Sequence, residues 1–145
     1  MSVWLLDTNL LIAMLWPTHA LHEQAQEWSR AQQQVQWATC PFTQSGFVRI
    51  LSNPAFSSDA VSPAEATERL SANLSSPRHR FLPASISFAQ AVALLGSALQ
   101  GHRQVTDAYL LGLAVHHQVC LATFDRSIEA LAAYRNPEVV QVIGS

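Results

Sequence analysis

The chain has only four aspartates, Asp7, Asp59, Asp107 and Asp125. Three of them, Asp7, Asp107 and Asp125, fall where a predicted strand or loop meets a predicted helix start. Taken singly, each is a favoured helix cap, worth about 1 kcal/mol. Taken together, they point to chemistry. Asp7 follows the apolar run Val3-Trp4-Leu5-Leu6, and Asp125 closes the run from Val119 to Thr123. If these are parallel strands, their carboxyl ends share the rim where ligands bind in open α/β sheets. Two carboxylates about 4 Å apart repel by about 4 kcal/mol at an effective dielectric of about 20, so without compensation one acid stays protonated. A hard divalent cation removes that repulsion, and an all-oxygen site that leaves waters in place suits Mg²⁺ or Mn²⁺ better than zinc. Such an ion activates a water and holds a phosphate oxygen, the chemistry of metal-assisted phosphodiester hydrolysis.

The elements that must position these acids alternate regularly. After Asp7, the spacing of Leu10, Leu11, Met14 and Leu15 predicts a helix that Pro17 closes. A second helix fits His19 to about Gln33, with Leu21, Ala25 and Trp28 on one apolar face, and Gln32-Gln33-Gln34 is a short polar connection. Val35 to Thr39 reads as a strand, and Pro41 opens a helix over Phe42 to about Ser52 that Asn53-Pro54 ends. A small polar loop at Ser57-Ser58-Asp59 leads to a helix started by Ser62-Pro63 and stopped at Ser75-Ser76-Pro77. Arg80 to Ala84 is a weak strand, and Ser87 caps a helix running to about Leu99. Thr106 or Asp107 caps an apolar helix to about His116, Val119 to Thr123 is a buried strand, Ile128 to Ala132 a short helix, and Val139 to Ile143 the last strand. Strands alternating with helices argue for βαβ units around a parallel sheet covered on both faces. With no repeat, linker or low-complexity tract to divide them, residues 1–145 are expected to form a single domain.

At 145 residues and 49% hydrophobic composition, the chain can bury one sizeable core. A charged fraction of 12% and a net charge of −2 give no overall attraction for nucleic acid or anionic lipid, so any polyanion must be handled locally. All eight basic residues are arginine, whose planar fork suits phosphate, although a plain compositional preference for Arg over Lys is the simpler explanation and comes first. Cys40 and Cys120 lack the spacing of a zinc or redox motif and read as reduced, buried apolar residues. Without a signal segment or a run of apolar residues long enough to cross a bilayer, the expectation is a soluble, cytoplasmic protein with no membrane contact.

Four segments carry a resemblance. Asp-Thr-Asn-Leu-Leu-Ile from Asp7, Pro-Phe-Thr-Gln-Ser-Gly-Phe-Val-Arg-Ile-Leu from Pro41, Val-Thr-Asp-Ala-Tyr-Leu from Val105 and Leu-Ala-Thr-Phe-Asp-Arg from Leu121 are in register over nearly the whole chain. Together they resemble the PIN-domain ribonucleases, most closely the VapC-like toxins of bacterial toxin–antitoxin pairs. The resemblance implies a PIN-like three-layer α/β/α sandwich with a short-stranded, mainly parallel central sheet. It also implies a Mg²⁺- or Mn²⁺-dependent endoribonuclease acting on RNA, a homodimer, and a cognate antitoxin protein that blocks the site. Carried over by residue, the family's acids fall on Asp7, Asp107 and Asp125 as metal ligands and catalytic residues. Many relatives have Glu where this chain has Gln44, next to Ser45. Gln44 is therefore expected to act in the outer sphere by orienting a water, and a second metal site is expected to be weak.

Around these acids, Asn9, Arg49, Arg103, Arg126 and Thr123 are the candidate substrate-binding residues, with His102 beside them. Thr8, Asn9 and Thr123 are suited equally to hydrogen-bonding the carboxylates and to capping a helix. Arg49, roughly 7 Å of helix rise beyond Gln44, can meet a phosphate or form a surface ion pair. His19 and His22 are three residues apart but lack a third ligand, and the four tryptophans read as core or interface in preference to base-stacking platforms. The apolar stripe of the first helices is the expected seat of the antitoxin. The rival from another class is a catalytically impaired PIN-like module that only holds RNA or a protein, which Mn²⁺ titration separates from the enzyme. A phosphatase with an aspartyl nucleophile at Asp7 fits worse, since Asn9 stands where its general acid is expected.

Overall fold

The computed structural model describes residues 3–32, 35–56, 58–96, 101–132 and 137–144. Five short strands form one sheet: β1 (Val3–Leu6), β2 (Gln36–Thr39), β3 (His79–Phe81), β4 (Cys120–Thr123) and β5 (Val140–Val142). Their order is β3-β2-β1-β4-β5, and all four pairings are parallel. The central strand, β1, is the most apolar, as expected of a strand covered on both faces. Its residues alternate between two cores. Val3 and Leu5 join one cluster and Leu6 the other.

The helices divide the same way. On the Leu6 face lie α1 (Thr8–Leu15), α2 (His22–Ala31), α3 (Pro41–Leu51) and α4 (Pro63–Leu74), which contribute Leu10, Leu11, Phe47, Leu51 and Leu70. On the Leu5 face lie α5 (Phe88–Leu94), α6 (Val105–His117) and α7 (Ile128–Ala132), with Leu95, Leu110, Leu113 and Leu131 in the core. This is the expected α/β/α sandwich. Gly112 sets the α5–α6 spacing, because a Cβ there would collide with the backbone carbonyl of Ala91.

Local signals explain most of the boundaries. Ser62 Oγ accepts from the Glu65 amide, and Ser87 and Gln90 form a reciprocal capping box at the start of α5. Three expectations shift. The second helix begins at His22 instead of His19, because His19 Nδ1 accepts from the Leu21 amide at 2.9 Å and holds a turn there. The helix expected to reach Leu99 ends at Leu94, and Gly96 follows with a φ of 80°, a backbone that glycine adopts at no steric cost; Leu99 itself, like Gln33, Gln34, Ser57 and Arg135, lies outside the described residues. The third strand runs over His79–Phe81, earlier than Arg80 to Ala84, and Leu82 instead turns inward, 1% exposed. No helix among the described residues is long and apolar enough to cross a membrane.

From β1 the chain moves outward to β2 and β3, then returns to the other side of β1 to lay down β4 and β5. Strand order therefore reverses between β1 and β4, which creates a crevice outside their carboxyl ends. Asp7 follows one of these ends and Asp125 the other.

Candidate active site

Asp7 sits at the centre of the crevice. Its amide continues the ladder to Ala122 O at 2.9 Å, and its side chain, 8% exposed, caps α1 by accepting from the Thr8 amide at 2.8 Å. The other carboxylate oxygen, Oδ2, accepts from Thr123 Oγ1 at 2.7 Å across the β1–β4 pair. Thr123 Oγ1 in turn accepts from the Asp125 amide at 2.9 Å, so one hydroxyl fixes both the Asp7 carboxylate and the loop carrying Asp125. The exposed Asp125 side chain is held through Oδ1, which accepts from the Ser127 amide and hydroxyl at 2.9 and 2.7 Å. Of the two roles weighed for Thr123, the structure shows hydrogen bonding to a carboxylate.

Asp107 comes from the opposite side. It lies in the first turn of α6 and is not that helix's cap, because a 3-10 turn over His102–Gln104 starts the winding earlier and the helix begins at Val105. Burial, then Asp7, then Asp125 push the Asp107 carboxyl up to about 6. Asp7 is also raised: burial pushes it up, the bonds from Thr123 and Thr8 pull against that, and Asp125 adds to the rise. No arginine or histidine among the described residues pairs with any of the three acids, since the ion pairs there are Arg69–Glu65 and Arg126–Glu129.

The three carboxylates thus share one electrostatic neighbourhood without a counter-charge among the described residues. They do not form a closed cage; among the described residues no three His, Cys, Asp or Glu side chains converge tightly enough to hold an ion as they lie. Their all-carboxylate donor set suits a hard cation that keeps several waters, and it does not suit a dry zinc site. The uncompensated negative charge is the second point of fit.

Gln44 lies in the first turns of α3. Its Nε2 donates to Thr39 Oγ1 at 2.9 Å, at the end of β2, and Thr39 Oγ1 lies 2.8 Å from His79 Nε2. Burial lowers the His79 pKa, which favours the neutral ring, and in the tautomer protonated on the nitrogen that bonds at Leu74, Nε2 accepts the threonine proton. Sequence reasoning missed this chain, because its members lie on β2, α3 and β3. It also missed Gly46, where a Cβ would stand 2.8 Å from Thr8 Cγ2, so α3 lies against the residue next to Asp7.

The remaining candidates are dispersed. Asn9 and Arg49 are exposed on α1 and α3, His102 and Arg103 are exposed just before Asp107, and Arg126 lies 3.9 Å from Glu129 on the surface. His22 bonds to Ala13 O at 2.7 Å, which with the turn at His19 accounts for both histidines structurally. Trp16 and Trp37 are buried, and Trp4 and Trp28 meet edge to face at 5.9 Å. Cys40 is buried as expected, but Cys120, on β4, is only half-buried.

Compared with known proteins, residues 4–134 match the family described as PIN domain. A protein called ribonuclease VapC38, from Mycobacterium tuberculosis, is 40% identical over 139 residues, covering 96% of each chain. The chain belongs to the PIN-domain family. Within that family it is similar to further M. tuberculosis proteins, among them ribonuclease VapC44, 41% identical over 88% of this chain and 89% of that one. The fold agrees with solved structures of lower identity. VapBC2 from Rickettsia felis, bound to a DNA fragment from its promoter, superposes with a TM-score of 0.64 at 11% identity over 98% of this chain and 99% of that one. FitAcB from Neisseria gonorrhoeae gives 0.61 at 20% identity over 97% and 96%. The expectation of a PIN-like sandwich stands, with a sheet that is parallel throughout.

Proposed function

We propose that this PIN-domain protein is a metal-dependent endoribonuclease, the toxin of a toxin–antitoxin pair, hydrolysing RNA phosphodiester bonds at the rim between β1, β4 and α6. The observation that carries the reading is the uncompensated cluster of Asp7, Asp107 and Asp125 at the sheet's switch point. The relatives named as ribonucleases support it.

Asp7, Asp107 and Asp125 would hold Mg²⁺ or Mn²⁺, which when bound supplies Lewis-acid polarisation of a phosphoryl oxygen and a more acidic water. The chain's own residues do the positioning. Thr123 and Thr8 fix the Asp7 carboxylate, and Ser127 fixes that of Asp125. Asp107 faces them from α6. Arg103 and Arg126, with His102, flank the acids and bind the RNA backbone by charge, while Asn9 and Arg49 extend that contact along α1 and α3. Gln44, tethered to Thr39, leaves its carbonyl oxygen to orient a water in the outer sphere.

The partners follow from the same reading. The structural neighbours include a toxin–antitoxin complex from Klebsiella pneumoniae, with a TM-score of 0.58 at 21% identity over 95% of each chain. An antitoxin would seat on the α1–α2 side, where Trp16, His19 and Phe56 line a hollow of about 240 Å³, and the working form would be a homodimer inside the cytoplasm.

The test is growth arrest on expression, together with cleavage of total RNA by purified protein with Mg²⁺, with Mn²⁺ and with EDTA. The reading requires cleavage that EDTA removes and that Asp7→Asn abolishes while the fold is retained. RNA binding without cleavage, and without Mn²⁺ affinity in the millimolar range, would instead make the protein a catalytically impaired binding module.

A further inference from the structure

We infer that the apolar groove at the start of α6, walled by Phe42, Phe88, Val105 and Tyr109, is a stacking site for one unpaired nucleobase of the RNA. This rests on the ribonuclease reading above and adds to it the way the substrate is held in register. The groove measures about 320 Å³, at the small end of ligand pockets. Its walls are aromatic and in part open to solvent: Phe42 is 49% exposed, Phe88 42% and Val105 42%. Large apolar side chains gathered at this exposure mark a binding surface.

One pair of rings is arranged for planar contact. Phe88 lies nearly parallel to Tyr109, at 11° and 6.5 Å, while Phe42 packs against Tyr109 at 56° with centroids 5.0 Å apart and closes the side of the groove. Tyr109 is fixed in place because its hydroxyl donates to Ile86 O at 2.8 Å. The lining carries no acidic or basic side chain, and Thr106 supplies a hydroxyl at the edge. A neutral, flat, half-open slot with one polar edge suits a base, whose π-face stacks whatever its identity.

Position ties the groove to the chemistry. Val105 and Tyr109 are four residues apart and share one face of α6, while Asp107 lies about 200° around the helix, on the opposite face, towards Asp7 and Asp125, so the groove and the acids are joined only across the open start of the helix. RNA laid across this first turn places a phosphate at the carboxylates and a neighbouring base in the groove. His102 and Arg103, exposed in the turn just before, meet the backbone between them.

The experiment uses the full chain and short single-stranded RNAs carrying 2-aminopurine, whose fluorescence is quenched on stacking, with Ca²⁺ in place of Mg²⁺. The wild type should quench the probe. Phe42→Ala and Phe88→Ala should lose the quench and bind at least about fivefold more weakly, while Phe42→Tyr and Phe88→Tyr should retain both. Thermal unfolding and light scattering check that the alanine variants are folded and in the wild-type oligomeric state. Unchanged quench and affinity in folded alanine variants would overturn the inference while leaving the nuclease reading intact. A change of oligomeric state with RNA affinity intact would also overturn it, making the groove an interface between copies. Failure of the nuclease reading shows separately, as absence of Mg²⁺-dependent cleavage by the wild type.

Discussion

The Thr123 hydroxyl donates to Asp7 Oδ2 at 2.7 Å and accepts from the Asp125 amide at 2.9 Å, which ties two of the three acids to one oxygen. Removing it leaves a buried carboxylate oxygen without its partner, a loss of about 1–3 kcal/mol. Thr123→Val should therefore lower the melting temperature and, because groups that orient metal ligands matter nearly as much as the ligands, cut Mn²⁺ affinity or RNA cleavage about 10- to 100-fold. Thr123→Ser should restore most of both. Calorimetric Mn²⁺ titration and a cleavage time course check this, and wild-type behaviour in Thr123→Val would remove Thr123 from the site.

Asp107 is expected to cost stability when no cation is present. Its folded pKa is pushed up to about 6 from an ordinary value of 3.8, so between these values the folded state binds more protons than the unfolded chain. Stability then falls as pH rises through that window, and the loss is complete above about 6. Asp107→Asn should raise the melting temperature of the metal-free protein at pH 7.5, make it less dependent on pH between 4 and 6, as read by thermal scans in EDTA, and abolish cleavage. Mn²⁺ should stabilise the wild type more than the variant. A melting temperature lowered by Asp107→Asn in EDTA would contradict the mutual repulsion.

The sign is opposite at His79. Burial lowers its folded pKa below 6.5, so as pH falls the unfolded chain takes up a proton first and the folded state loses stability. Protonation also turns Nε2 into a donor and breaks its acceptance from Thr39. Melting temperatures measured downward from pH 7 should therefore drop less steeply in His79→Asn than in the wild type. An identical slope would show that His79 plays no part in the acid sensitivity.

What the sequence reveals here follows the range of the interaction. Strands β1 and β4 are legible because their apolar runs are covered on both faces, and Asp7 and Asp125 because each follows such a run directly. Strand β3 is an edge strand whose residues, His79, Arg80 and Phe81, carry no clear apolar pattern, so its register is set by pairing with β2. Thr123 could be singled out by its place beside Asp125, but its bond to Asp7 spans 116 residues and exists only because β1 and β4 are neighbours. Asp107 was legible as an acid near a helix start, yet the turn at Gly101–Gln104 that moves the start to Val105 has no strong local signature. The tether of Gln44 to Thr39 and His79 requires three separate elements to meet, which no motif encodes.

Gln44 tests how the missing acid is accommodated. Gln44→Glu introduces a carboxylate that can no longer donate to Thr39 and must accept from it, drawing the threonine proton away from His79. Calorimetry should show tighter Mn²⁺ binding, together with a higher pKa for His79 by NMR titration. Unchanged Mn²⁺ affinity would place position 44 outside the metal's reach.

Gly46 probes the same wall from α3. A Cβ there would stand 2.8 Å from Thr8 Cγ2 and 2.9 Å from Thr8 Oγ1, closer than real contacts allow. Thr8 is β-branched and has few rotamers to escape into, and its amide is bonded to the Asp7 carboxylate. Gly46→Ala should therefore move α3 or the first turn of α1, costing about 1–3 kcal/mol by overpacking, and reduce RNA cleavage beyond what the lost stability explains at a temperature where the variant is fully folded. Thr8→Ser removes Cγ2, the nearest atom, and the double variant should recover part of both losses. Additive losses in the double variant would mean that the contact between Gly46 and Thr8 does not position Asp7.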